Sequence, residues 1–214
     1  LKKKFRFTDF EFITNYGLFS GDRNLFKTLT IFDLVKQTAS VKGDIIELGI
    51  HKGNTSLLFK KILDIFKIKK KLYLLDHFKG LIHYGKKDTQ FSKTYKGKFL
   101  GKKKQIRSFI DFFKFKNIEI IDKDATTLQS GFFKNKRFSL AYFDMDLYLP
   151  TLKGLQAIDK NMSKGGFIVF DEGYKKLWSE MRAIKDFLKK NKQYRWILID
   201  KKRQPDVILK KISK

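Results

Sequence analysis

The stretch Asp44-Ile45-Ile46-Glu47-Leu48-Gly49-Ile50-His51-Lys52-Gly53-Asn54-Thr55-Ser56 constrains this chain more than any other. It starts as a buried strand, turns on two glycines and opens a helix that carries Leu57, Leu58, Phe59, Ile62 and Leu63. Gly49 and Gly53 let the chain bend, and they let a ligand approach backbone without a Cβ in the way. The helix N-terminus, with Thr55, offers unpaired N–H groups to an anionic or carboxylate group. Glu47 would repel a phosphate at that turn. The local chemistry therefore speaks against a pyrophosphate and for a ligand with cationic and hydroxyl groups.

Further strands follow at intervals, separated by helical patterns. Lys71–Asp76, Ile118–Ile121, Ser139–Asp144 and Gly166–Glu172 are short apolar runs. Tyr194–Asp200 and Asp206–Leu209 read as a closing antiparallel hairpin. Helices are expected near Arg23–Ala39, with Leu25, Leu29, Phe32 and Val35 on its buried face, and near Lys175–Lys190, burying Trp178, Met181, Ile184 and Leu188. Another presents Ile106, Phe109, Ile110 and Phe113, and Pro150 is expected to start the helix after the fourth strand. Alternation of this kind predicts an α/β fold: a doubly wound, mostly parallel seven-stranded sheet of the Rossmann-like type, covered on both faces. The 214 residues suit a single domain. Residues 1–21 read as an N-terminal arm. Residues 77–101 have no strong period and several glycines, and read as a lid-like insertion.

Ligands of such sheets lie at the carboxyl ends of the strands. Here four strands end in acid: Glu47, Asp76, Asp144 and Asp171. So many carboxylates on one rim need a positive partner. Asp76 is placed to accept from ribose hydroxyls, and His77 beside it to touch a nucleoside. Asp144, Asp146, Asp171 and Glu172 come from two strands expected to be neighbours. Their oxygens suit a hard cation such as Mg²⁺, which can acidify and orient a substrate hydroxyl. Helix capping and pairing with lysines are the competing roles. His83, in the lid, is the best placed of the three histidines to act as general base.

The formal charge of +26 raises a second reading, a nucleic-acid binder. The lysines are spread along the whole chain with few aromatics among them, and Phe and Ile are raised as well, as a compositional bias would give. There is no cysteine, hence no disulfide, and nothing points to an oxidising compartment. No run of about 18 apolar residues suggests a membrane span, and no signal peptide is visible. A cytoplasmic location is expected.

Four segments together resemble the macrocin O-methyltransferase family of S-adenosylmethionine-dependent, metal-requiring class I enzymes. They are Val41–Gly53, Leu75-Asp76-His77-Phe78-Lys79-Gly80-Leu81, Phe143-Asp144-Met145-Asp146-Leu147-Tyr148-Leu149-Pro150-Thr151-Leu152, and Lys164–Glu172. The resemblance runs in order over about Asp22 to Phe187. It implies that Glu47, Gly49 and Gly53 face the methionine part of the cofactor, that Asp76 holds its ribose, and that Asp124 with Ala125 lies by the adenine. Asp144, Asp171 and Glu172 would hold the metal. From the residues themselves, Asp144 and His83 are the expected catalytic groups. Two departures stand out. The chain has Asp171-Glu172 where the family usually has two aspartates, and Ile82 where it usually has proline. The expected activity is methyl transfer to a hydroxyl of a sugar or other small polar acceptor. RNA methylation and non-catalytic nucleoside binding are the alternatives, and self-association into a homo-oligomer is left open.

Overall fold

The structure is a computed structural model that describes residue 8 and residues 22–174 and 176–213. The arm expected at 1–21 lies almost wholly outside the described residues. The elements run α1 (Asp22–Gln37), β1 (Asp44–Leu48), α2 (Asn54–Ile65), β2 (Leu72–Asp76), α3 (Gln90–Lys93), α4 (Lys103–Phe112), β3 (Ile118–Asp122), β4 (Phe138–Phe143), α5 (Tyr148–Ile158), β5 (Met162–Phe170), α6 (Glu180–Lys190), β6 (Tyr194–Leu198) and β7 (Val207–Lys211). Short 3₁₀ turns cover Ala125–Thr127 and Asp159–Asn161.

Seven strands form one sheet in the order β3-β2-β1-β4-β5-β7-β6. β1 to β5 are parallel, and β7 runs antiparallel to both β5 and β6. This is the doubly wound, Rossmann-like architecture expected from the strand pattern. The order reverses between β1 and β4, which opens a crevice at their carboxyl ends.

Alternation along the strands sorts side chains to two faces. Ile46, Leu48, Leu75, Phe143 and Phe170 pack with Leu155, Ile158, Ile184 and Phe187 of α5 and α6. Ile45, Leu74, Leu140, Tyr142 and Val169 pack with Ile31, Leu34 and Val35 of α1 and Phe59, Ile62 and Leu63 of α2. Glu47 shares the parity of Ile45, so it points into the α1 and α2 layer.

Several expected helices shift. On α1 the buried face is Ile31, Leu34 and Val35, with Thr38 buried just past its end, while Leu25 and Leu29 are 43% and 56% exposed. Both stripes have helical spacing, and contact with α2 and the sheet selects this one. Helix α6 begins at Glu180; Trp178 is buried ahead of it. Ala183, Ile184 and Phe187 form its buried face, with Met181 and Leu188 half-buried. On α4 Ile106 is buried, Phe109 and Ile110 are half-buried, and Phe113 lies exposed past its end. Helix α5 starts two residues before Pro150, which sits in its first turn where a missing N–H costs little. Strand β5 begins at Met162, earlier than expected.

Gly49 closes the turn after β1 at φ +85°, and a Cβ there would collide with the backbone oxygen of Asp144. The β1 and β4 turns can lie this close only through glycine. Gly49→Ala should lower stability by about 2 kcal/mol or more in a denaturant melt; an unchanged midpoint would show that the turn relaxes freely.

Candidate active site

A cavity of about 390 Å³ opens over the crevice at the strand ends. One side is formed by Gly49, His51, Leu75, Asp76, His77 and Ala125, the other by Asp144, Asp146, Asp171, Glu172 and Gln204. Gly80, Leu81, His83 and Phe99 of the 77–101 segment and Trp178 complete the wall. The cavity thus brings together Gly49, Asp76, His77, Ala125, His83, Asp144, Asp171 and Glu172. Glu47, Gly53, Thr55 and Asp124 do not line it.

Asp76 organises the nucleoside side. Its Oδ2 accepts from the N–H groups of Ile50 and His51 at 2.9 and 3.0 Å, and its Oδ1 from Phe78 N–H at 2.7 Å. Three of the four lone-pair sites of the carboxylate are in use. Room is left for one ribose hydroxyl, where the bare sequence suggests a pair. Gly53, at φ +83°, closes the same turn; a Cβ there would come within 2.6 Å of Ile106 Cδ1.

Behind the turn, Glu47 is 1% exposed and accepts from Ser56 Oγ at 2.5 Å. Burial pushes its carboxyl up to about 8; Ser56 and Lys27 pull it down, and Asp144 and Asp76 push it further up.

His83 and Asp124 are paired through Nε2 and Oδ2. Asp124 also accepts from the Thr126 N–H and hydroxyl at 2.8 and 2.7 Å. Burial works against this carboxylate, but Thr126 and His83 outweigh it and hold the group below its usual range. The His77 and His83 rings meet edge to face at 5.8 Å, and His77 Nδ1 accepts from Lys79 N–H at 3.1 Å.

On the acid side the carboxylates crowd. Burial first, then Asp144, Glu172 and Asp171, push Asp146 far above the usual carboxylate range. Asp146 also holds a left-handed backbone, φ +60°. Asp171 Oδ1 receives the Tyr142 hydroxyl and, at 2.9 Å, the ammonium of Lys27 from α1. Gln204 Nε2 donates to Glu172. The oxygen-only set of Asp144, Asp171 and Glu172 suits a hard divalent cation in its donor chemistry, and all three line the cavity. Asp171 and Glu172 are turned onto these protein partners, however, and the three acids are not gathered around one point. Among the described residues, the set whose ligand atoms lie within 4.8 Å of one another is His77, His83 and Asp124.

Three further residues had not been singled out from the sequence. Lys27 supplies the positive partner that the acid rim demanded. Its signal was there: it lies one turn before Ile31 on the buried face of α1. Glu180, 1% exposed, accepts from the N–H groups of Met145 at 2.8 Å, Asp146 at 3.3 Å and Glu172 at 3.3 Å. It ties the turns after β4 and β5 to the start of α6. Asp88 accepts from Gly85 N–H at 2.7 Å and Tyr148 N–H at 2.8 Å, which anchors the 77–101 segment on α5. Thr89 continues that anchor to Leu177 and Ser179.

The profile of the macrocin O-methyltransferase family (TylF) matches residues 19–201. The chain belongs to this family. It is accordingly an S-adenosylmethionine-dependent O-methyltransferase. Among solved structures, CalS11, a calicheamicin methyltransferase, is similar with a TM-score of 0.75 at 21% identity, covering 95% of this chain and 85% of that one. Its apo form, described as a TDP-rhamnose 3'-O-methyltransferase, gives 0.72 at 21% identity over 95% and 86%. The O-methyltransferase NovP gives 0.68 at 18% identity over 87% and 79%. An SAH-bound methyltransferase of Podospora anserina, PaMTH1, gives 0.54 at 13% identity over 86% and 79%. These likenesses concern the fold. No curated protein sequence matches the chain. Among the described residues no helix is long and apolar enough to cross a membrane.

The Glu47 carboxyl has a testable sign. The unfolded chain releases this proton near 4.5 and the folded chain near 8. Stability attributable to it is therefore full below 4.5 and is lost as pH rises toward 8. Glu47→Gln should bring the thermal midpoints at about pH 5 and about pH 8.5 closer together than in the parent chain. An unchanged separation would show that Glu47 is ionised throughout.

Proposed function

We propose that this enzyme methylates a hydroxyl of a sugar or sugar-linked acceptor held between the acid rim and an aromatic wall. The observation that supports this best is the two-sided cavity. One side offers bare backbone at Gly49 and a carboxylate at Asp76, as a sulfonium nucleoside requires. The other offers hydrogen-bonding acids within reach of Phe99 and Trp178, whose ring centroids lie 6.3 Å apart. Apolar ring faces with a few placed polar groups suit the C–H face and hydroxyls of a sugar. CalS11 and NovP are O-methyltransferases of the same fold, and the description of CalS11 as acting on TDP-rhamnose supports the acceptor class.

In this reading Asp76 accepts from one ribose hydroxyl, His77 borders the nucleoside, and Ala125 leaves room for the adenine. Glu47, Gly53 and Thr55 shape the turn against the methionine part, and Asp124 orients His83. A neutral His83 must donate Nε2–H to Asp124, which leaves the Nδ1 lone pair to take a proton. S-adenosylmethionine, when bound there, would supply the methyl group to the acceptor oxygen, and His83 would take the hydroxyl proton. Asp144, Asp171 and Glu172 would hold a divalent ion of the Mg²⁺ type. Such an ion, when bound, acidifies and orients the acceptor hydroxyl. The larger share of the rate comes from placement, since the site fixes acceptor and methyl donor side by side.

Calorimetry with S-adenosylhomocysteine should give saturable binding, and Asp76→Ala should weaken it about tenfold or more through loss of a charge-assisted bond and its turn. Asp144→Ala should leave that affinity within about threefold while product from a panel of nucleotide-linked sugars, followed by mass, falls about a hundredfold or more. Absence of binding at millimolar ligand would remove the cofactor assignment. Full turnover in Asp144→Ala would remove the acid rim from the chemistry.

A further inference from the structure

The positive charge at the acid rim comes from a helix that the strand-end motifs do not include. Lys27 reaches from α1, behind the sheet, with its ammonium 2.9 Å from Asp171 Oδ1 and 5.4 Å from the centre of the Tyr142 ring. The same Oδ1 takes the Tyr142 hydroxyl. One oxygen of a carboxylate assigned to an ion is thus saturated by two donors of the protein itself. A divalent ion drawn to Asp144, Asp171 and Glu172 would meet this ammonium at short range, and like charges in a partly desolvated crevice repel strongly.

From this juxtaposition we propose that Lys27 and a divalent cation compete for Asp171, so that ion binding displaces the Lys27 ammonium and loosens the hold of α1 on the site. The inference rests on the reading of Asp144, Asp171 and Glu172 as ion-holding carboxylates. Lysine suits an exchangeable partner. It is a point charge on a flexible stem, without the fixed fork that makes arginine–carboxylate pairs rigid. The Lys27 side chain is 24% exposed, which gives it a route to solvent. When it leaves, Asp171 keeps the Tyr142 hydroxyl and frees charge for the ion. The turns after β4 and β5 stay in place through Glu180. The first helix then senses whether the acid side of the cavity is charged with metal.

The test is Mn²⁺ binding followed by electron paramagnetic resonance on the full chain with S-adenosylhomocysteine present. Lys27→Met should bind Mn²⁺ about tenfold or more tighter than the parent, since the competing charge is gone. Lys27→Arg should stay within about threefold of the parent. Equal or weaker binding in Lys27→Met, a gain in Lys27→Arg as large as that in Lys27→Met, or no binding in any of the three proteins overturns the proposal. Should Lys27→Met fail to fold, amide hydrogen exchange on the unaltered chain decides. Residues 27–37 should exchange faster in saturating Mn²⁺, and unchanged exchange overturns the proposal. S-adenosylhomocysteine affinity in chelator, measured alongside, separates this from the enzyme assignment: its loss would count against the cofactor pocket, its retention confines any failure to the competition.

Discussion

Negative charge crowded onto one edge of the sheet sets the terms for the rest of this structure. Glu47, Asp76, Asp144, Asp146, Asp171, Glu172 and Glu180 all lie at or near the carboxyl ends of β1, β2, β4 and β5. Taking so many carboxylates out of water is costly unless each is paired, hydrogen-bonded or protonated. The chain uses all three remedies. Lys27 and Tyr142 serve Asp171, Gln204 serves Glu172, and backbone N–H groups serve Asp76 and Glu180. Burial and mutual repulsion drive Glu47, Asp146 and Glu180 toward their neutral forms.

These remedies also build the cavity. Asp76 fixes the turn that presents Gly49, and Glu180 fixes the two turns that present Asp144, Asp146 and Glu172. Asp88 and Thr89 pin the 77–101 segment to the far wall, which carries Phe99 over the opening next to Trp178. Much of the acid content of this chain therefore does structural positioning, and the groups facing the cavity are those whose neighbours have already been settled. A ligand bringing positive charge, such as a sulfonium nucleoside or a divalent ion, enters a field prepared for it.

The sheet was readable because strand alternation, terminal acids and turn glycines are local signals. Each of Asp44–Leu48, Leu72–Asp76 and the β4 and β5 runs carries its own period and punctuation. Gly49 was readable for the same reason: a turn between strand and helix needs it. The face of α1 was not, since Leu25-Leu29-Phe32-Val35 and Lys27-Ile31-Leu34-Val35 fit a helix equally well, and only packing against α2 and the sheet decides between them. Glu180 and Asp88 carry no such signal, because each is tied to a backbone N–H far along the chain, Met145 for Glu180 and Tyr148 for Asp88, and a sequence shows no such pairing. Lys27 was hidden among 48 basic residues, where one ammonium on a buried face looks like any other. The placement of Glu47 off the cavity wall follows from parity along β1, a constraint visible in the strand but easily overridden by expectation from the motif.

A crystal structure of the chain grown with S-adenosylhomocysteine tests the whole picture most directly. The account predicts the nucleoside lying over Gly49, with one ribose hydroxyl on Asp76, the base beside Ala125, and the sulfur directed toward Asp144 and His83. Density for the ligand in any other depression of the surface, or with its ribose turned away from Asp76, would contradict it.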